Sequence, residues 1–297
     1  MNVTDTSSSG GGGGACRWRG RGWNYGLALY LMSAVASAAP VLLPDNSRLL
    51  ATGGAIQIEG QAGGGIVPWA VLAGYGSSDD IGAAGFYTQV EVKNYALDAY
   101  GVAVSVHNRI ERSLARQEFD LGTLGDAIGQ PDKSLRQNII GLKLRLYGDL
   151  LYDRMPHISF GTQYKSNLDF GIPAAVGARH RRDADFYLSA SKRWLAGLFD
   201  RNVFADLTLH YTRANQIGIL GFGGDRGDDR ELMVEGAIGV FLTRHVACGF
   251  AYRQPLDNLS FAPQDDWLDA FIGVFPHQHL SVVAAYADLG TVATLHD

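Results

Sequence analysis

The chain has 297 residues, a formal net charge of −5, 38 glycines, 9 prolines, and 10% aromatic and 19% charged residues. This balance, with no basic run beyond Arg179–Arg182, excludes a nucleic-acid surface, which needs a concentrated positive footprint. The composition suits many short strands and turns, and no apolar stretch in the body of the chain reaches the length of a helical membrane span.

The N-terminus reads differently from the rest. Met1–Gly14 is rich in Ser and Gly, Arg17, Arg19 and Arg21 follow, and then comes the apolar run Gly26–Ala36. It ends in Ala36-Ser37-Ala38, a small-x-small cleavage signature. The expectation is a secretory signal over residues 1–38, cut after Ala38, with a linker over 39–52. Cys16 leaves with such a signal, so Cys248 stands alone as a packed or lipid-facing thiol.

From residue 53 the chain alternates. Gly53–Gly60 and Ile66–Gly74, the latter with Pro68 near its start, are the first two short strand candidates. Gly82–Val92, Leu97–His107 and the more charged Ile110–Phe119 follow. Arg136–Tyr147 separates Asn138, Ile140, Leu142, Leu144 and Leu146 from Gln137, Gly141, Lys143 and Arg145. Pro156–Lys165 and Asp185–Arg193 repeat the pattern. Val203–Arg213 sets Val203, Ala205, Leu207, Leu209 and Tyr211 against Asp206, Thr208 and His210. Ala214–Arg230 reads as a glycine-rich, charged loop unsuited to a core. Leu232–Phe241, Val246–Gln254, Trp267–Phe275 and His279–Ala287 complete thirteen segments. A period of two with one apolar and one polar or small face is a strand between two different solvents.

Alternation alone also fits a soluble sandwich. Here the large residues share one face and small or charged residues the other, as in the row Ala99, Gly101, Ala103, Ser105. The segments match the roughly 9–11 residues of a tilted membrane-crossing strand, and tyrosines recur near their ends. The expected fold is therefore all-β: an antiparallel up-and-down transmembrane β-barrel of about 12–14 strands over residues 53–297. With the first strand running outward, the long connections 120–135, 166–184, 214–230 and 255–266 all fall on the external side. The thirteenth strand then also runs outward, so the closing inward strand is expected to be missing by truncation.

Several blocks carry a family resemblance. They are Arg48–Gly65 (RLLATGGAIQIEGQAGGG) with Val67-Pro68-Trp69-Ala70, Ser113–Asp120 (SLARQEFD), Gly218–Asp229 (GILGFGGDRGDD), Asp257–Trp267 (DNLSFAPQDDW) and Tyr286–Asp297 (YADLGTVATLHD). Together they resemble an uncharacterised family of Gram-negative exported proteins, the domain of unknown function numbered 3034. The resemblance runs from about residue 48 to the end. It implies an outer-membrane β-barrel and assigns neither substrate nor catalytic residues.

The candidate sites are few. Asp225, Asp228 and Asp229, with Asp265 and Asp266 in the next external loop, are the hard oxygen ligands a divalent cation would take; the plainer reading is a solvated acidic loop. No other cofactor is expected. His277 and His279 share a parity but lack a third ligand. Ser189 and Lys192 match a Ser-x-x-Lys pair in spacing but fall on opposite faces, which rules out their cooperation. No nucleophile elbow, Walker A loop or zinc-protease motif is present, so no enzyme is expected.

Lys143, Arg145, Asp206, His210, Glu235 and Arg253 are expected to face the lumen. They would either line a path for a polar solute or pair across the barrel and fill it. The first functional reading is an outer-membrane passive channel or uptake porin for a small solute, exported through a signal peptide. Its partners would be outer-membrane lipid and the outer-membrane assembly machinery. The second is a non-conducting barrel with a surface role, in adhesion, envelope scaffolding or cation-bridged lipid binding through its long loops.

Overall fold

A computed structural model of the chain describes residues 32–36, 55–74, 76, 78, 80–92, 95–122, 133–277 and 279–289. Eleven strands from Ile81 onward form one continuous antiparallel sheet, each pairing with its neighbour in sequence. They are β5 (Ile81–Val92), β6 (Tyr95–Val106), β7 (Ile110–Asp120), β8 (Ser134–Tyr147), β9 (His157–Asn167) and β10 (Arg182–Leu198). β11 (Arg201–Thr212), β12 (Glu231–Phe241), β13 (Val246–Arg253), β14 (Trp267–His277) and β15 (Leu280–Asp288) continue it. The sheet curls until its first and last strands flank one short segment, β1 (Met32–Ala36). That segment pairs with β5 over five positions and with β15 over four, which closes the ring.

The strands form where expected because each has two environments. On the outward face Val102, Leu114, Ile140, Leu207, Ile238 and Phe250 are 52–59% exposed. Their neighbours along the strands, among them Ala103, Ala115, Ile139, Thr208, Ala237 and Ala251, are buried inside. So broad an apolar outer surface is compatible with an apolar medium around the barrel. The turns divide by length in the same orderly way. Short turns with two left-handed residues join β6 to β7 (His107 and Asn108 of a three-residue turn) and β10 to β11 (Phe199 and Asp200, a two-residue turn) at one end. Such turns match the twist of the strands they join. The long connections 168–181, 213–230 and 254–266 all lie at the other end, where β7 also ends and β8 begins, and one of them carries the single-turn helix α1 (Gly171–Ala175).

Two expectations are corrected. Gly53–Gly60 and Ile66–Gly74 are not wall strands. Residues 55–74 lie inside the ring, where β2 (Ala55–Ile56), β3 (Ala62–Gly64) and β4 (Val67–Pro68) make a small separate sheet. A wall strand exposes every second residue, whereas Ile56, Gln57, Ile58, Glu59, Gly60, Gln61 and Ala62 are buried in succession. The Ala214–Arg230 loop also differs from its expected solvated form. Ala214–Gly224 is buried at the mouth of the ring, and only Asp225–Arg230 reach solvent.

Candidate functional site: a lumen filled by the chain itself

Residues 55–74 have little backbone pairing of their own, so their amides and carbonyls require partners inside the barrel. The inward side chains of the wall supply them. Lys143 Nζ donates to the carbonyls of Ala62 (2.7 Å), Trp69 (2.9 Å) and Val71 (3.1 Å). Glu111 accepts from the amides of Ala62 (3.2 Å) and Ala73 (2.6 Å) and lies 3.8 Å from Lys143. Ser159 donates to Ala70 O (2.6 Å), Ser191 accepts from Ala70 N (2.8 Å) and Thr208 donates to Pro68 O (2.7 Å). Gln163 and Tyr187 both donate to Gln61 Oε1, at 2.9 and 2.7 Å. Gly161 makes room for this arrangement: a Cβ there would overlap the Tyr187 ring.

A single carboxylate of the insert completes a ring of charge. Glu59 pairs with Lys165 and, at 2.9 Å, with Arg253. Arg253 pairs with Glu235 at 3.1 Å, Glu235 with His210 Nδ1 at 2.8 Å, and His210 Nε2 faces Asp185 at 3.9 Å. Asp185 returns to Lys165 at 2.7 Å. These side chains are between 0 and 7% exposed, so no water path runs through them. Buried ions are costly unless opposite charge lies beside them, and here Lys165 and Arg253 lie among Glu59, Asp185 and Glu235, across wall strands β9 to β13 and the insert.

The opposite end is capped. A 3-10 turn at Asn215–Gly218 leads the 214–224 loop inward, where Gln137 donates to Ile217 O (3.1 Å) and Asn167 to Ile219 O (2.6 Å). Phe222, Leu256, Leu259 and Ala262 are buried over the mouth. Gln216 and Ile217 hold φ of 44° and 58°, a left-handed backbone unusual for a β-branched residue. Outside this cap, Asp228 accepts from His180 Nε2 (2.9 Å) and Arg213 Nη1 (3.3 Å), with Arg179 at 3.6 Å. The His180 hydrogen bond, with the positive charges of His180, Arg213 and Arg179, holds the Asp228 carboxyl below its ordinary value. Hydrogen bonds from Ser260 lower Asp225 in the same direction.

The lumen residues proposed from sequence fall in two groups. Lys143, Asp206, His210, Glu235 and Arg253 are inward and buried. Arg145 sits apart near the short-turn end, donating to Gly148 O (2.5 Å) beside Asp149. The five loop carboxylates do not converge. Asp225 turns to Ser260, Asp228 to His180 and arginines, Asp266 to Tyr252, while Asp229 and Asp265 are exposed. Among the described residues no group of three or more metal-ligating side chains comes together. His277 and His279 have ring centroids 5.7 Å apart. Ser189 points inward to Pro68 O (3.1 Å), whereas Lys192 reaches the Asp149 carbonyl.

Glu59, Glu111, Lys165 and Asp185 are buried partners of these groups that are absent from the sequence candidates. Lys165 and Asp185 share the inward parity of their strands, a readable signal. Glu59 has none, because its segment is buried on all sides.

The fold and its filled interior define a closed antiparallel β-barrel with an internal plug. No helix among the described residues is long and apolar enough to cross a membrane, and the architecture is compatible with an outer-membrane barrel. The chain belongs to the family described as "Protein of unknown function (DUF3034)", whose model matches residues 52–297. No curated protein and no solved structure matches the chain.

Proposed function

We propose that this protein is an outer-membrane β-barrel of a Gram-negative bacterium, exported through a signal peptide, that keeps its lumen shut with its own residues 55–74. A small solute passes only when that segment is displaced. The observation that carries the reading is the polar part of the seal: beside the apolar packing of Ile56, Ile58, Ile66 and Val71 against the wall, wall side chains hold the insert by hydrogen bonds and ion pairs. Each neutral hydrogen bond of this set exchanges for water at a small net cost, about 0.5–1.5 kcal/mol, so these polar contacts can pass to water when the insert moves. An always-open porin does not fit this reading, since the charge ring leaves no continuous water path.

A second reading is a permanently sealed barrel that acts through its external surface. The buried loop cap of Phe222, Leu256 and Leu259 favours it. Planar-bilayer recording separates the two. The gated reading predicts no steady conductance from the full-length protein and clear conductance from a variant lacking residues 55–74 and 215–222. Steady conductance from the full-length protein would refute the seal. A silent double deletion, with barrel folding verified by heat-modifiable migration, would leave the surface reading in its place.

A further inference from the structure

The outward face of the barrel is not evenly covered. From β12 to β15 the outward side chains of Cys248, Ala270 and Ala284 are small, and the larger Phe250, Ile272 and Tyr286 stand beside them. Ala270 pairs with Phe250 on one side and with Tyr286 on the other, so it floors a trough between two rings. One outward row nearer the short turns, Cys248 lies between Val240 and Ile272. The result is an open apolar groove of about 680 Å³ that reaches Val203 and Leu198. Sites for small molecules span roughly 300–1,000 Å³, so this one has room for a ligand.

The short-turn end of the groove is cationic. Arg201 is the next outward residue beyond Val203, pairs with Leu198 and donates to the carbonyl of Leu242. Its guanidinium therefore sits against the 242–245 turn, which adds the exposed Arg244. Asp200 is the only carboxylate in the two turns, which leaves them a net positive charge. Trp194, paired with Val203 across the β10–β11 hairpin, is 46% exposed at the same height. Tryptophan is enriched at membrane–water interfaces, which sets the two arginines at headgroup level.

We propose that this groove holds one anionic phospholipid of the leaflet at the short-turn end, an acyl chain lying over Cys248, Ala270 and Ala284 and the phosphate at Arg201 and Arg244. The site rests on the outer-membrane reading of the barrel and stands whether or not the lumen conducts. An acyl chain on a flat wall touches protein on one side only, whereas in the trough it gains dispersion contacts from Phe250 and Tyr286. Guanidinium groups match phosphate oxygens with paired N–H donors. A second copy of the chain fits this face less well. Two copies in one bilayer are parallel, so a two-fold contact through the groove sets Arg201 and Arg244 of both at one level, like charge beside like.

The test uses the full-length protein in phosphatidylcholine nanodiscs doped with phosphatidylglycerol, with retained lipid counted by native mass spectrometry. The wild type should retain one phosphatidylglycerol per barrel. Arg201→Gln combined with Arg244→Gln should lower that retention about tenfold, the scale of one net hydrogen bond to a charged group. Ala270→Trp fills the trough and should abolish it, while Leu114→Trp, outward on the far side of the ring, should leave it unchanged. Heat-modifiable migration verifies each barrel. Equal retention by all four proteins, phosphatidylcholine in place of phosphatidylglycerol, or a second protein copy as the retained partner would each overturn the site. An inserted barrel without retained lipid overturns the site alone, and a folded barrel that stays outside the nanodisc overturns the outer-membrane reading with it.

Discussion

At the scale of single residues, the molecule depends on matched buried charge. Lys165 is fully buried between Glu59 and Asp185, so its removal takes a cation from two carboxylates at once and leaves Glu59 with Arg253 alone. Breaking a buried pair by deleting one partner costs roughly 3–5 kcal/mol. Lys165→Met should therefore lower unfolding stability by about that amount, read from urea titrations in micelles. A loss below about 1 kcal/mol would mean the ring is hydrated and exerts little hold. On the outer rim, the Asp228 carboxyl is held below its ordinary value by His180, Arg213 and Arg179. A lowered carboxyl stabilises the folded clasp above its unfolded pKa, near 3.9, and that contribution disappears as pH falls through the lower folded value. A spin label at Asp229→Cys, with Cys248→Ser, should stay restrained at neutral pH and gain mobility below about pH 4. Asp228→Asn should free it at pH 7 as well. Equal mobility at pH 7 and pH 3 in the parent would contradict the clasp.

Residue parity was readable for Lys143, Asp206, His210, Glu235 and Arg253 because each lies within a strand, where alternation allows one of two faces. Arg145 shares that parity, opposite the buried Ser159, but lies near the strand end, where its long side chain reaches the carbonyl of Gly148. The partners of these charges were not readable, since Glu59 lies on a separate piece of chain 106 residues before Lys165.

At the scale of elements, the eleven strands from Ile81 onward were legible because each borders two media, and the boundaries moved by only a few residues. The insert was not, for the complementary physical reason. A segment buried on every side has no alternation to betray it, and the short apolar runs of Gly53–Gly60 and Ile66–Gly74 mimic wall strands. The 214–224 loop misled in another way: its glycines read as solvent turns, yet they let the backbone tuck beneath Phe222 into the mouth. Gly218, Gly221 and Gly223 all adopt positive φ there.

Strand β1 presents a sharper conflict. Met32–Ala36 closes the ring, yet it falls within the segment expected to leave as a signal, and the flanking residues 1–31 and 37–54, with the Ala36–Ala38 cleavage signature, lie largely outside the described residues. Cleavage after Ala38 and closure by β1 exclude one another, because removal of β1 leaves the edges of β5 and β15 to be paired by another strand. The export reading predicts, by intact mass of the membrane-extracted protein, a mature chain starting at Ala39. A mass that retains Met32–Ala36 contradicts it and makes β1 a permanent part of the wall.

At the scale of the whole molecule, three layers stack along the barrel axis: an apolar loop cap, a central ring of paired charge, and an aromatic cluster of Trp69, Phe204, Phe241, Phe271 and Phe275 at the short-turn end. The insert runs through the lower two and supplies Glu59 to one and Trp69 to the other. That shared segment makes the lumen a single device, in which anything that moves residues 55–74 disturbs both charge ring and aromatic cluster. The most direct measurement is hydrogen–deuterium exchange of the full-length protein in nanodiscs. Amides of Ala62, Ala70 and Ala73, bonded to Glu111 and Ser191 inside the barrel, should exchange as slowly as those of the wall strands. Exchange at the rate of an exposed loop across residues 55–74 would place the insert outside the lumen and contradict the account.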